Sequence, residues 1–122
     1  MKPCARAAAL VAAFANTVGP LTGCGSNEQW GVARGKEVYA ENCSACHQPD
    51  GRGYDNVYPN LAGNPIVRLE DPDPVIDIVT RGRGSMPSFA EQLPDHQLAA
   101  VITYIRAAWG NDRPAVGPSE VK

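Results

Sequence analysis

The sequence predicts a small all-α domain built from three main helices and long loops. One segment has apolar residues at helical spacing, and another is bounded by residues typical of helix ends. No segment alternates apolar and polar residues as a half-buried β-strand would. Between the first and second helical segments, glycine and proline are concentrated in a long stretch of loop character.

The first 23 residues are typical of an export signal. A basic start precedes an apolar run from Ala7 to Phe14, and that run is too short for a bilayer-spanning helix, which needs about 20 apolar residues. The run is followed by Leu-Thr-Gly-Cys, which resembles the lipobox of bacterial lipoproteins and indicates lipidation of Cys24. We therefore expect an exported protein, lipid-anchored at the periplasmic face of a bacterial membrane. Plain secretion with a free Cys24 is the alternative.

Without residues 1–23, the chain has 99 residues, enough for one small domain. We assign residues 24–30 to a polar, lipid-anchored tether, residues 31–111 to the domain and residues 112–122 to a flexible tail. Residues 24–122 carry 9 basic and 13 acidic side chains, a net charge of −4. This balance and the absence of Lys or Arg runs argue against nucleic acid as a partner. An acidic surface favours a protein partner with a basic patch.

Local signals place each helix. The first is expected from Val32 to about Cys46, where no proline intervenes. The second has Asp73 as its N-cap, Pro74 as its first helical residue and Gly82 as its stop. The last helix follows from five apolar residues at helical spacing: Leu98, Val101, Ile102, Ile105 and Trp109.

The sequence CSACH places Cys43 and Cys46 three positions apart, with His47 directly after them. Zinc sites usually take four Cys or His ligands, and beyond this motif the mature chain offers only His96 and the anchor Cys24. A thioredoxin-like pair follows a strand and opens a helix in an α/β pattern. Here a helix precedes the motif and a loop follows it, so neither rival suits the context.

Covalent haem attachment suits the helical geometry of the motif. On a helix, Cys43 and Cys46 lie roughly 60° apart and His47 lies about 40° from Cys43. Two thiols on one face can bond to the porphyrin vinyl groups while the imidazole reaches the iron. Export agrees with this hypothesis, because c-type haem is attached outside the cytoplasm.

Met86 is the candidate for the sixth iron ligand. The chain has only one other methionine, Met1, which leaves with the signal peptide. A lone methionine often fills a gap in a core, but beside a haem motif its thioether is a suitable axial ligand. Two filled axial positions favour electron transfer over catalysis. The alternative is a haem enzyme or gas sensor in which Met86 leaves the iron.

Three stretches of the chain resemble class I cytochromes c. These are GKEVYAENCSACHQPDGRG at 35–53, YPNLAGNP at 58–65 and RGRGSMPSFAEQLPDHQLAAVITYIRAAWGN at 81–111. The resemblance is to bacterial mono-haem forms, such as the cytochrome c subunits of quinoprotein alcohol dehydrogenases and terminal oxidases. It implies the small cytochrome c fold, wrapped around one covalent haem c. It also implies a one-electron carrier or an electron-transfer subunit, with a dehydrogenase, cytochrome complex or terminal oxidase as partner, rather than a self-sufficient enzyme.

The resemblance also assigns roles to individual residues. Cys43 and Cys46 correspond to the covalent haem attachments, and His47 and Met86 correspond to the axial ligands. The carbonyl of Pro59 corresponds to the acceptor of the histidine Nδ1–H. Two further correspondences are Leu61 as a haem-pocket residue and a crossing of the first and last helices at Gly35, Tyr39, Val101 and Tyr104.

Three other side chains remain open from the sequence. His96 is expected to be a solvated surface histidine. Arg81 and Arg83 flank the end of the second helix, where an Arg can bond a haem propionate or act as a charge at the helix end.

Overall fold

The computed structural model describes residues 26–122, so the predicted signal peptide and Cys24 lie outside the described residues. The described part folds into four α-helices: α1 (Ser26–Asn42), α2 (Ser44–His47), α3 (Asp73–Arg81) and α4 (Asp95–Ala107). Two 3₁₀ turns follow α4, at Ala108–Gly110 and Pro118–Glu120. In this part of the chain, strand-like pairing is limited to two isolated bridges. The predicted all-α class is confirmed. None of the described helices has the length and apolarity needed to cross a bilayer.

The first helix differs from its predicted bounds at both ends. It begins at Ser26, so residues 26–30 of the tether expected over residues 24–30 are helical. It ends at Asn42, and Cys43 adopts φ −121°, which interrupts the regular helix before α2. The Cys43 carbonyl accepts hydrogen bonds from the amides of Cys46 and His47, at 3.2 and 2.9 Å. The motif therefore occupies a separate helical turn rather than the end of one continuous helix.

The start of α3 also differs from the expectation. Asp73 lies inside the helix and Pro72 occupies the N-cap position, without a side-chain cap. The carboxylate of Asp71 accepts the hydrogen bond from the Asp73 amide at 2.9 Å. At the other end Gly82 stops the helix with φ 78°, as its predicted role requires.

Helices α1 and α4 cross closely at Gly35. A Cβ atom added there would lie 2.6 Å from the Tyr104 Cβ and would collide with the Ala100 carbonyl oxygen. Glycine is therefore required for this approach. The crossing buries the α4 residues Leu98, Val101 and Ile102, each 1% exposed or less.

The C-terminal residues differ from the predicted flexible tail. Val116 and Val121 are each 5% exposed and belong to the hydrophobic core. The Thr103 hydroxyl accepts a hydrogen bond from the Val116 amide at 2.9 Å and donates to the Val116 carbonyl at 3.2 Å. Because its valines are buried and its backbone is bonded to α4, this segment is part of the domain.

Candidate functional site

A cavity of about 300 Å³ lies between the motif turn α2, helices α3 and α4, and the connecting loops. All six residues that the sequence associates with a haem contribute to its lining: Cys43, Cys46, His47, Pro59, Leu61 and Met86. Most of the remaining lining is apolar and includes Val79, Phe89, Val101 and Ile105. His96, by contrast, is exposed and does not line this cavity.

The imidazole of His47 is buried and held in one orientation. Its Nδ1 lies 2.9 Å from the carbonyl oxygen of Pro59. Since a carbonyl can only accept, Nδ1 carries the proton and donates it, which leaves Nε2 with a free lone pair. The Gly53 amide donates to the His47 carbonyl at 2.8 Å and turns the following loop back toward the motif. This arrangement leaves Nε2 as the ring nitrogen available to a metal.

The two motif cysteines differ in exposure. Cys46 is exposed, Cys43 is half-buried, and neither forms a disulfide. Burial, with a smaller contribution from the nearby Cys46, raises the pKa of the Cys43 thiol to about 11. The free Cys43 thiol is therefore neutral and lies in a mostly apolar wall.

A tight turn fixes the position of Met86. Its amide donates to the Arg83 carbonyl at 3.0 Å, and the Arg83 amide donates back to the Met86 carbonyl at 3.1 Å. A Cβ on Gly82 would lie 2.6 Å from the Met86 oxygen, so the turn requires glycine there. Downstream, the Phe89 amide donates to the Val79 carbonyl at 3.1 Å and ties the loop to α3. The half-buried Met86 thus belongs to an ordered wall of the cavity.

Asn111 is a positioning residue to which the sequence alone assigns no role in the site. It is 1% exposed, and its side-chain amide donates to the carbonyls of Leu61 and Ile105, at 3.0 and 2.8 Å. Its oxygen accepts from the Gly63 amide at 2.8 Å. Through these bonds one side chain fixes the cavity loop that carries Leu61 against α4. No local signal identifies this role, because Leu61 lies 50 positions away in sequence.

Three aromatic rings form a cluster beside the loop that follows the motif. Tyr39, Tyr104 and Trp109 are in mutual contact, with ring centroids 5.2–5.5 Å apart. Gly51 lies against the Trp109 ring, and an added Cβ would be 2.6 Å from the nearest ring atom. The Tyr39 hydroxyl donates to the Gln48 carbonyl at 2.6 Å. The hydrogen bond and the ring contact therefore fix the loop that follows His47.

The residues of the cavity suit a haem. Two thiols and an imidazole share one turn, a thioether lies on another wall, and the remaining lining is mostly apolar. Within residues 26–122, no group of three or more His, Cys, Asp or Glu side chains could hold a metal ion. The site therefore has the donors for haem iron and for covalent attachment, while the porphyrin would occupy the apolar space.

Comparisons with known proteins agree with this chemistry. Residues 31–105 match the family described as cytochrome c oxidase, cbb3-type, subunit III. The cytochrome c subunit of the quinone alcohol dehydrogenase of Gluconobacter oxydans is 36% identical over 100 residues, covering 72% of this chain and 21% of that protein. Cytochrome c-552 of Thermus thermophilus is 33% identical over 100 residues, covering 70% of this chain and 75% of that protein.

The fold agrees as well. Cytochrome c6 of the diatom Phaeodactylum tricornutum superposes with a TM-score of 0.54 at 27% identity, over 64% of this chain and 93% of that chain. The chain spans about one fifth of the length of the alcohol dehydrogenase subunits that it matches. The family match nevertheless covers more than half of the chain. The chain therefore belongs to the cytochrome c family and carries covalently bound haem c.

Proposed function

We propose that the protein is a one-electron carrier whose haem is attached through Cys43 and Cys46 and ligated axially by His47 and Met86. The main support for the proposal is that these four residues lie around the same cavity. Met86 follows His47 by 39 positions, yet both line one cavity together with the two thiols. No other described methionine competes for the role, since Met86 is the only one in residues 26–122.

Each residue has a distinct part in the mechanism. When bound, haem supplies an iron centre that alternates between the ferrous and ferric states. His47 would provide Nε2 to the iron, while the Pro59 carbonyl holds the ring through Nδ1 and would make the imidazole a stronger donor. Met86 would supply its thioether to the iron and would raise the reduction potential, because a thioether is a weak donor. Leu61 and the other apolar residues would keep water from the site. The hydrogen-bonded walls would limit movement of the protein when the iron changes its redox state.

The proposal also includes a partner and a location, which the family assignment does not give. We place the protein at the periplasmic face of a bacterial membrane, anchored through a lipid on Cys24. The electron donor or acceptor is a dehydrogenase, a cytochrome complex or a terminal oxidase. Support comes from the relatives, which include a cytochrome c subunit of an alcohol dehydrogenase, and from the net charge of −4 on residues 24–122. An acidic surface favours encounter with a basic patch on a redox partner.

Replacing the proposed thioether ligand tests the site directly. Met86→Ala is expected to lower the reduction potential, abolish the Met–Fe(III) charge-transfer absorption and allow the ferrous protein to bind carbon monoxide. The potential falls because the ligand that favours the ferrous state is removed. Redox titration and visible spectroscopy of the purified holoprotein measure these changes.

His96→Ala is the matched control, since it removes the other candidate ligand side chain at an exposed position. This variant should retain the wild-type spectrum and potential. If Met86→Ala leaves both unchanged, Met86 is not a ligand. If the wild-type ferrous protein itself binds carbon monoxide readily, a gas-binding or catalytic haem fits better than a carrier.

A further inference from the structure

Arg83 lies at the rim of the haem cavity, on the turn that carries Met86. Among the described residues that line the cavity, Arg83 is the only one with a permanent charge. It is also exposed, so its long side chain has access to solvent at the edge of the cavity. A haem brings two carboxylates into a site whose lining is mostly apolar, and a buried or half-buried carboxylate needs a charged or hydrogen-bonding partner.

The neighbouring Arg81 is in a different situation. Its Nε lies 2.9 Å from the Asp77 carboxylate one helical turn earlier, and it does not line the cavity. In the part of the chain that the structure describes, Arg83 forms no ion pair. The two arginines, which the sequence leaves equivalent, therefore differ in partner and in position.

The backbone of Arg83 is held in place. It lies between two glycines with positive φ, Gly82 at 78° and Gly84 at 59°. Its amide and carbonyl both bond to Met86. Because the backbone that carries it is fixed, the guanidinium loses less conformational entropy when it forms a bidentate pair with a carboxylate.

We propose that Arg83 pairs with a carboxylate of the haem and that Arg81 does not. This inference goes beyond the ligand assignment and rests on the haem-carrier function proposed above. The pairing neutralises negative charge at the cofactor edge next to the Met86 turn. Since reduction adds an electron to the haem, a nearby cation favours the reduced state and raises the potential.

The test compares Arg83→Gln with Arg81→Gln, which removes the same charge two positions away. Arg83→Gln is expected to shift the haem carboxylate bands in the infrared or resonance Raman spectrum and to lower the potential more than Arg81→Gln does. Arg83→Lys should recover part of the potential but not the wild-type carboxylate bands, because an ammonium cannot form the bidentate pair. Equal potential shifts in the two Gln variants, or unchanged carboxylate bands in Arg83→Gln, would overturn the proposal.

The visible spectrum separates this proposal from the ligand assignment. A Met–Fe(III) charge-transfer band in all three variants shows that the haem is attached and that the Met86 ligation is intact. Absence of the band in the wild-type protein would remove Met86 from the iron, while the carboxylate bands would still report on Arg83.

Discussion

The hydroxyl of Tyr39 links the crossing of α1 and α4 to the loop that follows His47. Its ring packs on Tyr104 and Trp109, and its hydroxyl donates to the Gln48 carbonyl, one residue after His47. Burial is the main cause that raises the pKa of Tyr39 above its ordinary value, and nearby titratable groups, of which Cys43 is the largest, add smaller contributions. The folded state therefore favours the neutral phenol of Tyr39 over the phenolate.

This gives a prediction for alkaline pH. Because the folded pKa of Tyr39 is raised, its contribution is complete below the unfolded pKa of about 10 and is lost as the pH rises above that value. We expect the free energy of unfolding of the wild-type protein to fall above pH 10. Tyr39→Phe should flatten this fall and cost about 1 kcal/mol at neutral pH, through the lost hydrogen bond to Gln48. Urea denaturation of the holoprotein between pH 7 and about 11 measures both effects.

Tyr54→Phe is the control, because Tyr54 is 53% exposed. It should reproduce the wild-type pH dependence. Part of the alkaline slope will remain in Tyr39→Phe, since burial also raises the pKa of Tyr104. A slope identical to that of the wild type in Tyr39→Phe would show that Tyr39 does not titrate in this range.

At the scale of elements, Arg106 of α4 bonds to two segments that lie far apart in the sequence. It is 1% exposed and donates to the carbonyls of Val67, Leu69 and Glu70, at 2.9–3.2 Å. Its Nε donates to the Pro114 carbonyl at 3.3 Å. Burial lowers the pKa of the guanidinium, although four carbonyl dipoles compensate part of its desolvation. One side chain thus holds the cavity loop and the C-terminal segment on the same helix.

Arg106→Met should therefore destabilise the protein by about 3 kcal/mol, because it leaves buried carbonyls without donors. The cost should be almost independent of pH below about 10, since arginine stays protonated throughout that range. Chemical denaturation of the holoprotein at several pH values measures it. Arg68→Met, an exposed change in the same loop, should cost less than about 0.5 kcal/mol. Similar losses in both variants would show that Arg106 does not hold the loop.

Comparison of these residues shows what the sequence could and could not predict. The CSACH motif, the lone Met86 and the spacing along α4 are local or compositional signals, and the cavity brings the predicted residues together. Asn111 and Arg106 act on partners 36–50 positions away, so no local pattern identifies them. For the same reason, the segment 112–122 was expected to be flexible. Its two buried valines give no periodic signal, and the Thr103 contact depends on the tertiary fold.

At the scale of the molecule, α1 separates the proposed anchor from the haem site. The helix begins at Ser26, two residues after Cys24, and its last residue, Asn42, lines the cavity. Seventeen helical residues span about 25 Å. Trp30, near the N-terminal end of α1, is 58% exposed, and tryptophan favours the membrane–water interface. A lipid on Cys24 would therefore hold the N-terminal end of α1 near the bilayer, with the cavity at the other end of the helix.

This arrangement makes the chemistry of Cys24 testable. Mass spectrometry of the holoprotein from membranes should find an N-terminal peptide that begins at Cys24 and carries the mass of a diacylglycerol. Cys24→Ser should lack that mass and, when residues 1–23 are replaced by a signal peptide cleaved without lipidation, should appear in the soluble periplasmic fraction with its haem attached. The same replacement signal peptide on a chain that retains Cys24 is the control, and it should also be soluble, because the lipidation signal before the cysteine is absent. An unmodified peptide spanning residues 22–25 in the native protein would rule out the anchor. Such a result would leave the haem site intact, since its residues lie at the far end of α1 and beyond.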